Sequence, residues 1–255
     1  MKMTIDTVAG SAEIEDAAGH RRLDLYSPEA FEKIAAIWVK TGWSQRYSYR
    51  FSWLGRPLIQ LPEDVIRLQE VIWRLQPDVI IETGTAHGGT AVFMAGLCTL
   101  AGRGRVISVD IEIRADNRAA IEAHPLHDRI TLIEGDSTAP DIVQKVMAEV
   151  RKGETVFVHL DSNHTYAHVT GELEAYATLV TAGSYIVATD GVMRDLHDVP
   201  GGHAEWKTDN PAAAAEDFAA RHPEFVIEPP PRPFDESATA FDHTYLPSAW
   251  LRHTP

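Results

Sequence analysis

The chain predicts an α/β fold: a doubly wound, mostly parallel sheet of seven strands preceded by an N-terminal helical extension. Three observations carry this reading. The run Val79, Ile80, Ile81 is too short for a helix and is β-branched, as suits a strand covered on both faces. It ends in Glu82 and breaks at once into Gly84, Gly88 and Gly89, ahead of a helical segment, TAVFMAGLCTLAG. From there short apolar runs alternate with helical patterns, and that alternation implies right-handed crossovers and a parallel sheet.

With 255 residues, 44% hydrophobic and 24% charged, the chain is long enough to bury a sizeable core. Its formal charge of −14 arises from 37 acidic and 23 basic residues without a Lys/Arg run, which argues against a nucleic-acid or anionic-membrane partner. The single cysteine, Cys98, lies in an apolar helical pattern. It reads as a small buried side chain and leaves no intrachain disulfide or thiolate metal site. The opening MKMTIDTVAGSAEIEDAAGH lacks an apolar signal core, and no apolar run approaches the roughly 20 residues of a membrane span. The expected location is cytoplasmic.

Residues 1 to about 25 are small, polar and acidic, and are expected to form a loose or partner-contacting tail. A helix is predicted over PEAFEKIAAIWVKTG, with Phe31, Ile34, Ile37 and Trp38 at helical spacing and Gly42 ending it. Residues 1–60 thus form an extension that serves as lid or oligomer contact. Tyr47, Tyr49, Phe51 and Trp53 then alternate, a stripe read as core or interface and as a candidate wall for a substrate pocket. The main domain, 61–255, opens with a helix from Pro62 to about Gln76 that places Val65, Leu68, Ile72 and Leu75 on one face. After the first strand come strands at 105–109, 129–133, 155–160 and 184–189. Helices are predicted at 115–123, Pro140 to Arg151 and about His164 to Val180. A loop with Pro200, Gly201 and Gly202 follows, after which Asn210 and Pro211 read as the cap and first position of a helix over AAAAEDFAARH. FVIE is a further strand candidate, and the segment near 239–251 is its antiparallel return.

Ligands of an open parallel sheet sit beyond the carboxyl ends of its strands. Here those ends carry Glu82, Asp110, Asp136, Asp161 and Asp190. The glycine loop has no Gly-Lys-Ser/Thr ending, and Thr85, Ala86 and His87 separate Gly84 from Gly88, so neither a P-loop nor a GxGxxG dinucleotide turn is present. Glu82 repels a pyrophosphate but suits an ammonium. A cofactor with an amino-acid cation and no phosphate fits the loop of Gly84, His87 and Gly88, and S-adenosylmethionine is the common one. Asp110 is placed to accept both ribose hydroxyls. Asp136 and Ser137 either meet the adenine or form a turn and helix cap. Asp161 and Asp190 end strands that should be neighbours, and two carboxylates that close share a proton or a cation. Oxygen ligands select a hard ion such as Mg²⁺. His164 reads as a general base, because imidazole titrates near neutrality. The alternatives are a capping histidine, or a transition-metal set of His159, Asp161, His164 and His168 with the last two histidines on one helix face. By itself His168 reads as a surface residue.

The segments ETGTAHGGT, VISVDIEIRADNR, EAHPLHDRITLIEGDS, LDSNHTYAHVTGELEAYA and YSYRFSWLGRPLIQ together resemble the cephalosporin hydroxylase-like family, also called rhamnosyl O-methyltransferases, over roughly residues 45 to 225. The resemblance implies a Rossmann-like, class I S-adenosylmethionine-dependent methyltransferase. It further implies Mg²⁺-assisted transfer to a hydroxyl of a small natural product, a sugar or polyketide of an antibiotic pathway, by a homo-oligomer. By the same resemblance Glu82, Gly84 and Asp110 hold the cofactor, Asp161 and Asp190 hold the metal, and His164 is the base. Asp161 thereby borders cofactor, metal and catalytic proton alike. The chain departs from its relatives at Thr189, where they often carry a second acidic residue, so the hydroxyl takes that position or leaves it to water. Two other readings stay open: a non-methylating reaction on this fold, such as hydroxylation with a partner, and a catalytically silent cofactor-binding subunit.

Overall fold

The computed structural model of the chain describes residues 1–254. Its first segment corrects the expectation of a loose tail. Lys2–Asp6 (β1), Ser11–Asp16 (β2) and Gly19–Asp24 (β3) form an antiparallel meander with Met3 opposite Ile14 and Ile5 opposite Ala12. The turns explain it. The Asp6 carboxylate accepts from the Val8 and Ala9 amides and that of Asp16 from Ala18, while Gly10 (φ +62°) and Gly19 (φ +110°) take the left-handed backbone that closes each turn. Ala12 and Ile14 alternate on one fully buried face. The polar composition concealed this two-residue period.

Ser27 caps α1 (Pro28–Ser44) by accepting from the Ala30 amide, and Gly42 lies inside the helix instead of ending it. The alternating aromatics do not share a strand face. Tyr47–Arg50 is a single 3₁₀ turn, followed by the short ribbon β4 (Ser52–Trp53) and β5 (Arg56–Pro57). Tyr47 packs edge-on against Trp38 and Phe51, each at 5.2 Å between ring centroids, whereas Tyr49 stays exposed.

The predicted alternation then follows. The chain runs through α2 (Pro62–Leu75), β6 (Val79–Thr83), α3 (Gly89–Leu100), β7 (Arg105–Asp110), α4 (Ala115–Glu122), β8 (Ile130–Glu134) and α5 (Pro140–Glu149). It continues with β9 (Val156–Leu160), α6 (Tyr166–Tyr176), β10 (Tyr185–Ala188), α7 (Pro211–Arg221), β11 (Phe225–Ile227) and β12 (Trp250–His253). The sheet has seven strands in the order β11-β12-β10-β9-β6-β7-β8. Strands β6 to β10 pair in parallel, and β12 runs antiparallel between β10 and β11. The antiparallel return is thus present, but at Trp250–His253, the end of the expected 239–251 segment and just beyond it. Asn210 caps α7 as expected by accepting from the Ala213 amide.

Strand alternation feeds two cores. Ile81, Val158, Leu160 and Ile186 lie under α5, α6 and α7, against Val146, Leu173 and Phe218. Ile80, Phe157 and Val187 face α2 and α3, against Leu68, Phe93 and the buried Cys98. A third cluster joins Val39 of α1 to Val192, Leu196 and Tyr245, with Trp38, Trp43 and Tyr47 against it. This ties the N-terminal helix to the segment after β10. Among the described residues no helix is long and apolar enough to cross a membrane.

Candidate cofactor and metal site

Winding reverses between β6 and β9: β7 and β8 lie on one side of β6, β9 and β10 on the other. A crevice at the carboxyl ends of these strands is the place where such a sheet holds a ligand. Gly84 sits there with φ +89°, and a Cβ on it would stand 2.0 Å from the Asp161 carbonyl oxygen. Only a glycine allows the cradle to touch the end of β9 this closely. Gly88 (φ +77°) would likewise drive a side chain into Ile121.

The loop between these glycines is held from outside. The Ala86 amide donates to Asp110 Oδ2 at 2.9 Å, Asn117 Nδ2 donates to the Ala86 carbonyl, and Arg56 donates twice to the His87 carbonyl. Arg56 and Asn117 were not singled out from the sequence, because nothing local marks a side chain that braces a loop elsewhere. Glu82 is fully buried and accepts from the Ser108 hydroxyl, while its Oε1 has no hydrogen-bond partner among the described residues. Burial pushes its pKa well above the usual carboxylate range, and Asp161 and Asp110 add to the effect. An unpartnered buried carboxylate oxygen beneath the cradle is consistent with a cationic ligand group. After β8, Asp136 Oδ1 accepts from the Thr138 amide and hydroxyl, so a turn is present there, but not the expected cap: α5 starts after Ala139, with no side chain capping it. The Ser137 hydroxyl is buried and donates to Glu172.

Asp161, His164 and Asp190 converge: one ligand atom from each lies within 4.8 Å of the others. β9 and β10 are neighbours, as the strand-end argument requires, and His164 Nε2 stands 3.3 Å from Asp190 Oδ2. Gln60 Nε2 donates to Asp161 Oδ2 at 2.8 Å, and the Thr189 hydroxyl lies 2.6 Å from Asp161 Oδ1. Burial, and after it the charge of Asp190, raises the Asp161 pKa well above the usual carboxylate range, with His164 opposing. Asp190 adopts a left-handed backbone, φ 58°, a strained conformation for a residue with a side chain. The two carboxylates fit a hard divalent cation, with Gln60 and Thr189 orienting Asp161, and with the His164 imidazole at the edge of the pair. Gln60 was missed because its partner lies far along the chain.

The four-residue transition-metal alternative is not assembled. β9 ends at Leu160, and His159 is fully buried beside the small cavity formed with Leu68 and Phe93. Burial alone pushes the His159 pKa down to about 4, and its Nδ1 has no partner among the described residues. α6 begins only at Tyr166, so His164 precedes the helix that carries His168, and the two do not share a face. His168 is no surface residue either; its Nε2 lies 3.1 Å from both Ser137 Oγ and Ser162 Oγ.

A doubly wound sheet with a glycine cradle after its central strand and an acid closing the next defines a Rossmann-like, nucleoside-cofactor type of fold. Two structures of CmcI, an apo form and one with Mg-SAM, share it with TM-scores of 0.54 and 0.52 at 16% identity. Each covers 81% of this chain, and the matches span 77% and 78% of those chains. The profile of the Rhamnosyl O-methyltransferase/CmcI family matches residues 45–254, and the chain belongs to this family. A rhamnosyl O-methyltransferase of Mycobacterium leprae is 32% identical over 142 residues, 54% of this chain and 59% of that protein. One of Mycobacterium tuberculosis (strain ATCC 25618 / H37Rv) is 31% identical over 170 residues, 65% of this chain. The chain spans 62% of the length of that second relative.

Proposed function

We propose that the protein is an S-adenosylmethionine-dependent O-methyltransferase, assisted by Mg²⁺, that acts on a hydroxyl of a small natural product, a sugar or polyketide. The observation that carries this is the convergence of Asp161, His164 and Asp190 where the Gly84 cradle touches the end of β9. Family membership, the rhamnosyl O-methyltransferase relatives and a CmcI structure with Mg-SAM support the reading.

In this reading S-adenosylmethionine would supply an activated methyl group and Mg²⁺ would supply Lewis acidity. The chain's own residues do the placing. Glu82 offers its free oxygen toward the ammonium, Gly84, His87 and Gly88 line the cofactor, Asp110 takes the ribose hydroxyls, and Asp136 and Ser137 border the adenine. Asp161 and Asp190 would hold the ion, with the Thr189 hydroxyl bonded to Asp161 in place of a second acid. His164 Nε2 takes the proton that the acceptor hydroxyl loses as it gains the methyl, and Asp190, 3.3 Å away, stabilises the imidazolium so formed. Fixing the acceptor oxygen and the proton acceptor together is the enzyme's main contribution to rate. The extension, residues 1–60, serves as lid or oligomer contact, its helix α1 packing on the segment that follows Asp190.

Calorimetric titration with S-adenosylmethionine, with and without Mg²⁺, tests the cofactor site. Micromolar binding that disappears in Asp110→Ala is expected. The acceptor should gain one CH₂ by mass, with S-adenosylhomocysteine formed. A product heavier by one oxygen without S-adenosylhomocysteine would instead favour a non-methylating reaction.

A further inference from the structure

A fully buried carboxylate joins two strand-end loops from below. Glu172 Oε1 accepts from Ser137 Oγ at 2.5 Å, in the loop after β8, and from Ser162 Oγ at 2.7 Å, in the loop after β9. One turn earlier on α6, His168 Nε2 lies 3.1 Å from each serine oxygen and 3.4 Å from Glu172 Oε1. One turn later, the Tyr176 hydroxyl donates to the Ser137 carbonyl at 2.7 Å. His168, Glu172 and Tyr176 thus present one helix face to both loops. Gly171 allows the approach, since a Cβ there would already stand 3.1 Å from the Thr138 methyl.

Each serine has a single hydroxyl hydrogen, and both go to Glu172 Oε1, so the one His168 Nε2–H is shared between the serine oxygens and that carboxylate, while Glu172 Oε2 has no partner among the described residues. The hydrogen bond and charge of Glu172 raise the His168 pKa, and Asp136 adds to it, which keeps that donor in place. An ionisable group that merely filled space would be a poor choice here, because burying a carboxylate is costly unless its partners are specific.

Topology supplies the reason for such a clamp. β8 and β9 are not neighbours: β6 and β7 stand between them, so no ladder fixes one loop against the other. Yet Ser137 follows Asp136 and Ser162 follows Asp161. The clamp therefore joins two strand-end loops that the sheet alone leaves unregistered.

We propose that Glu172 and His168 are a positioning pair that locks the loop at 135–138 to the loop at 161–164, so that the acids of the two loops are held at one separation. Its consequence for cofactor binding rests on the reading of the cleft given above.

The test is reciprocal and uses the full chain without ligand. Amide hydrogen exchange is followed in both loops, where the Ala139 amide bonds the Asp136 carbonyl and the Asp161 amide bonds the Thr83 carbonyl. Ser162→Ala should speed exchange at 135–139, and Ser137→Ala at 161–165, each by about threefold or more. Glu172→Leu should loosen both loops, and Glu172→Gln, which keeps an acceptor oxygen, should restore most of the protection. Serine substitutions that loosen only their own loops, or neither, overturn the proposal even if Glu172→Leu fails to fold. Titration with S-adenosylmethionine is then added: Ser162→Ala should weaken binding by about fivefold while the unfolding midpoint barely moves. Cross-loop exchange effects in a protein that binds no S-adenosylmethionine would leave the clamp standing and remove the cofactor reading.

Discussion

Asp64 shows how one buried side chain sets a pH dependence. It lies in the first turn of α2, accepts from the Thr244 hydroxyl and from the Tyr245 amide, and ties the C-terminal segment to the sheet. Burial raises its pKa from 3.8 to about 7. The folded protein therefore binds this proton more tightly than the unfolded chain does. Its stabilising effect is complete below the unfolded value and is lost as pH rises through about 7. At about 1.4 kcal/mol per pH unit across roughly three units, the loss is on the order of 4 kcal/mol at most. Asp64→Asn keeps an oxygen for the Tyr245 amide and an N–H for the Thr244 hydroxyl. Denaturant titrations from about pH 4.5 to about 7.5 should therefore show a shallower fall in the variant, and equal slopes would falsify the assignment. Gly84→Ala acts through sterics instead. Its Cβ meets the Asp161 carbonyl, so a loss of about 1–3 kcal/mol is expected, together with weaker divalent-cation binding by calorimetry.

Among the elements, α1 is the one whose role is least visible in its own residues. Trp43 packs edge-on against Trp206 at 5.4 Å, Lys40 pairs with Asp198 at 2.9 Å, and the Ser44 hydroxyl donates to the Pro200 carbonyl. All three contacts reach the segment that follows Asp190. Trp43→Ala should therefore speed hydrogen exchange across 195–207 by about tenfold and leave the β6–β9 ladder unchanged. Slowed turnover with an increased acceptor KM would accompany it, and unchanged exchange in that segment would detach the helix from the cleft. The sequence marked this helix by its periodicity but not its partner, because the contact joins segments far apart in the chain. The N-terminal meander escaped notice for another reason: only Ala12 and Ile14 in β2 are fully buried, so charged residues outweighed a two-residue period. The aromatic stripe packs as core at Tyr47, against Trp38 and Phe51, and at Trp53, against Phe93, but the 3₁₀ turn at Tyr47–Arg50 breaks the alternation and leaves Tyr49 exposed.

For the molecule as a whole, order and direction of the main sheet were readable because every strand from β6 to β10 is short, apolar and closed by a break. The same rule exposed Asp161 and Asp190, which stand where strand geometry puts them. Braces such as Gln60, Arg56 and Glu172 were not readable, since each acts on a residue remote in sequence. The acids at the strand ends have one further consequence. The chain carries a net charge of −14, and Asp110 and Asp136 share an edge with the proposed ion ligands. Asp161, His164 and Asp190 lie within 4.8 Å of one another, inside the distance that salt screens poorly. The other acids act over longer paths, and the Debye length falls from about 10 Å at 0.1 M salt to about 3 Å at 1 M. Raising KCl from about 20 mM to about 500 mM should therefore weaken Mn²⁺ or Mg²⁺ binding by about threefold to tenfold, measured by calorimetry. Asp190→Asn should lower the affinity at both salt concentrations while keeping the slope, because it removes a direct ligand and leaves the surrounding field in place. A slope that vanishes with Asp190 would mean that the direct ligands, not the acidic edge, carry the salt dependence.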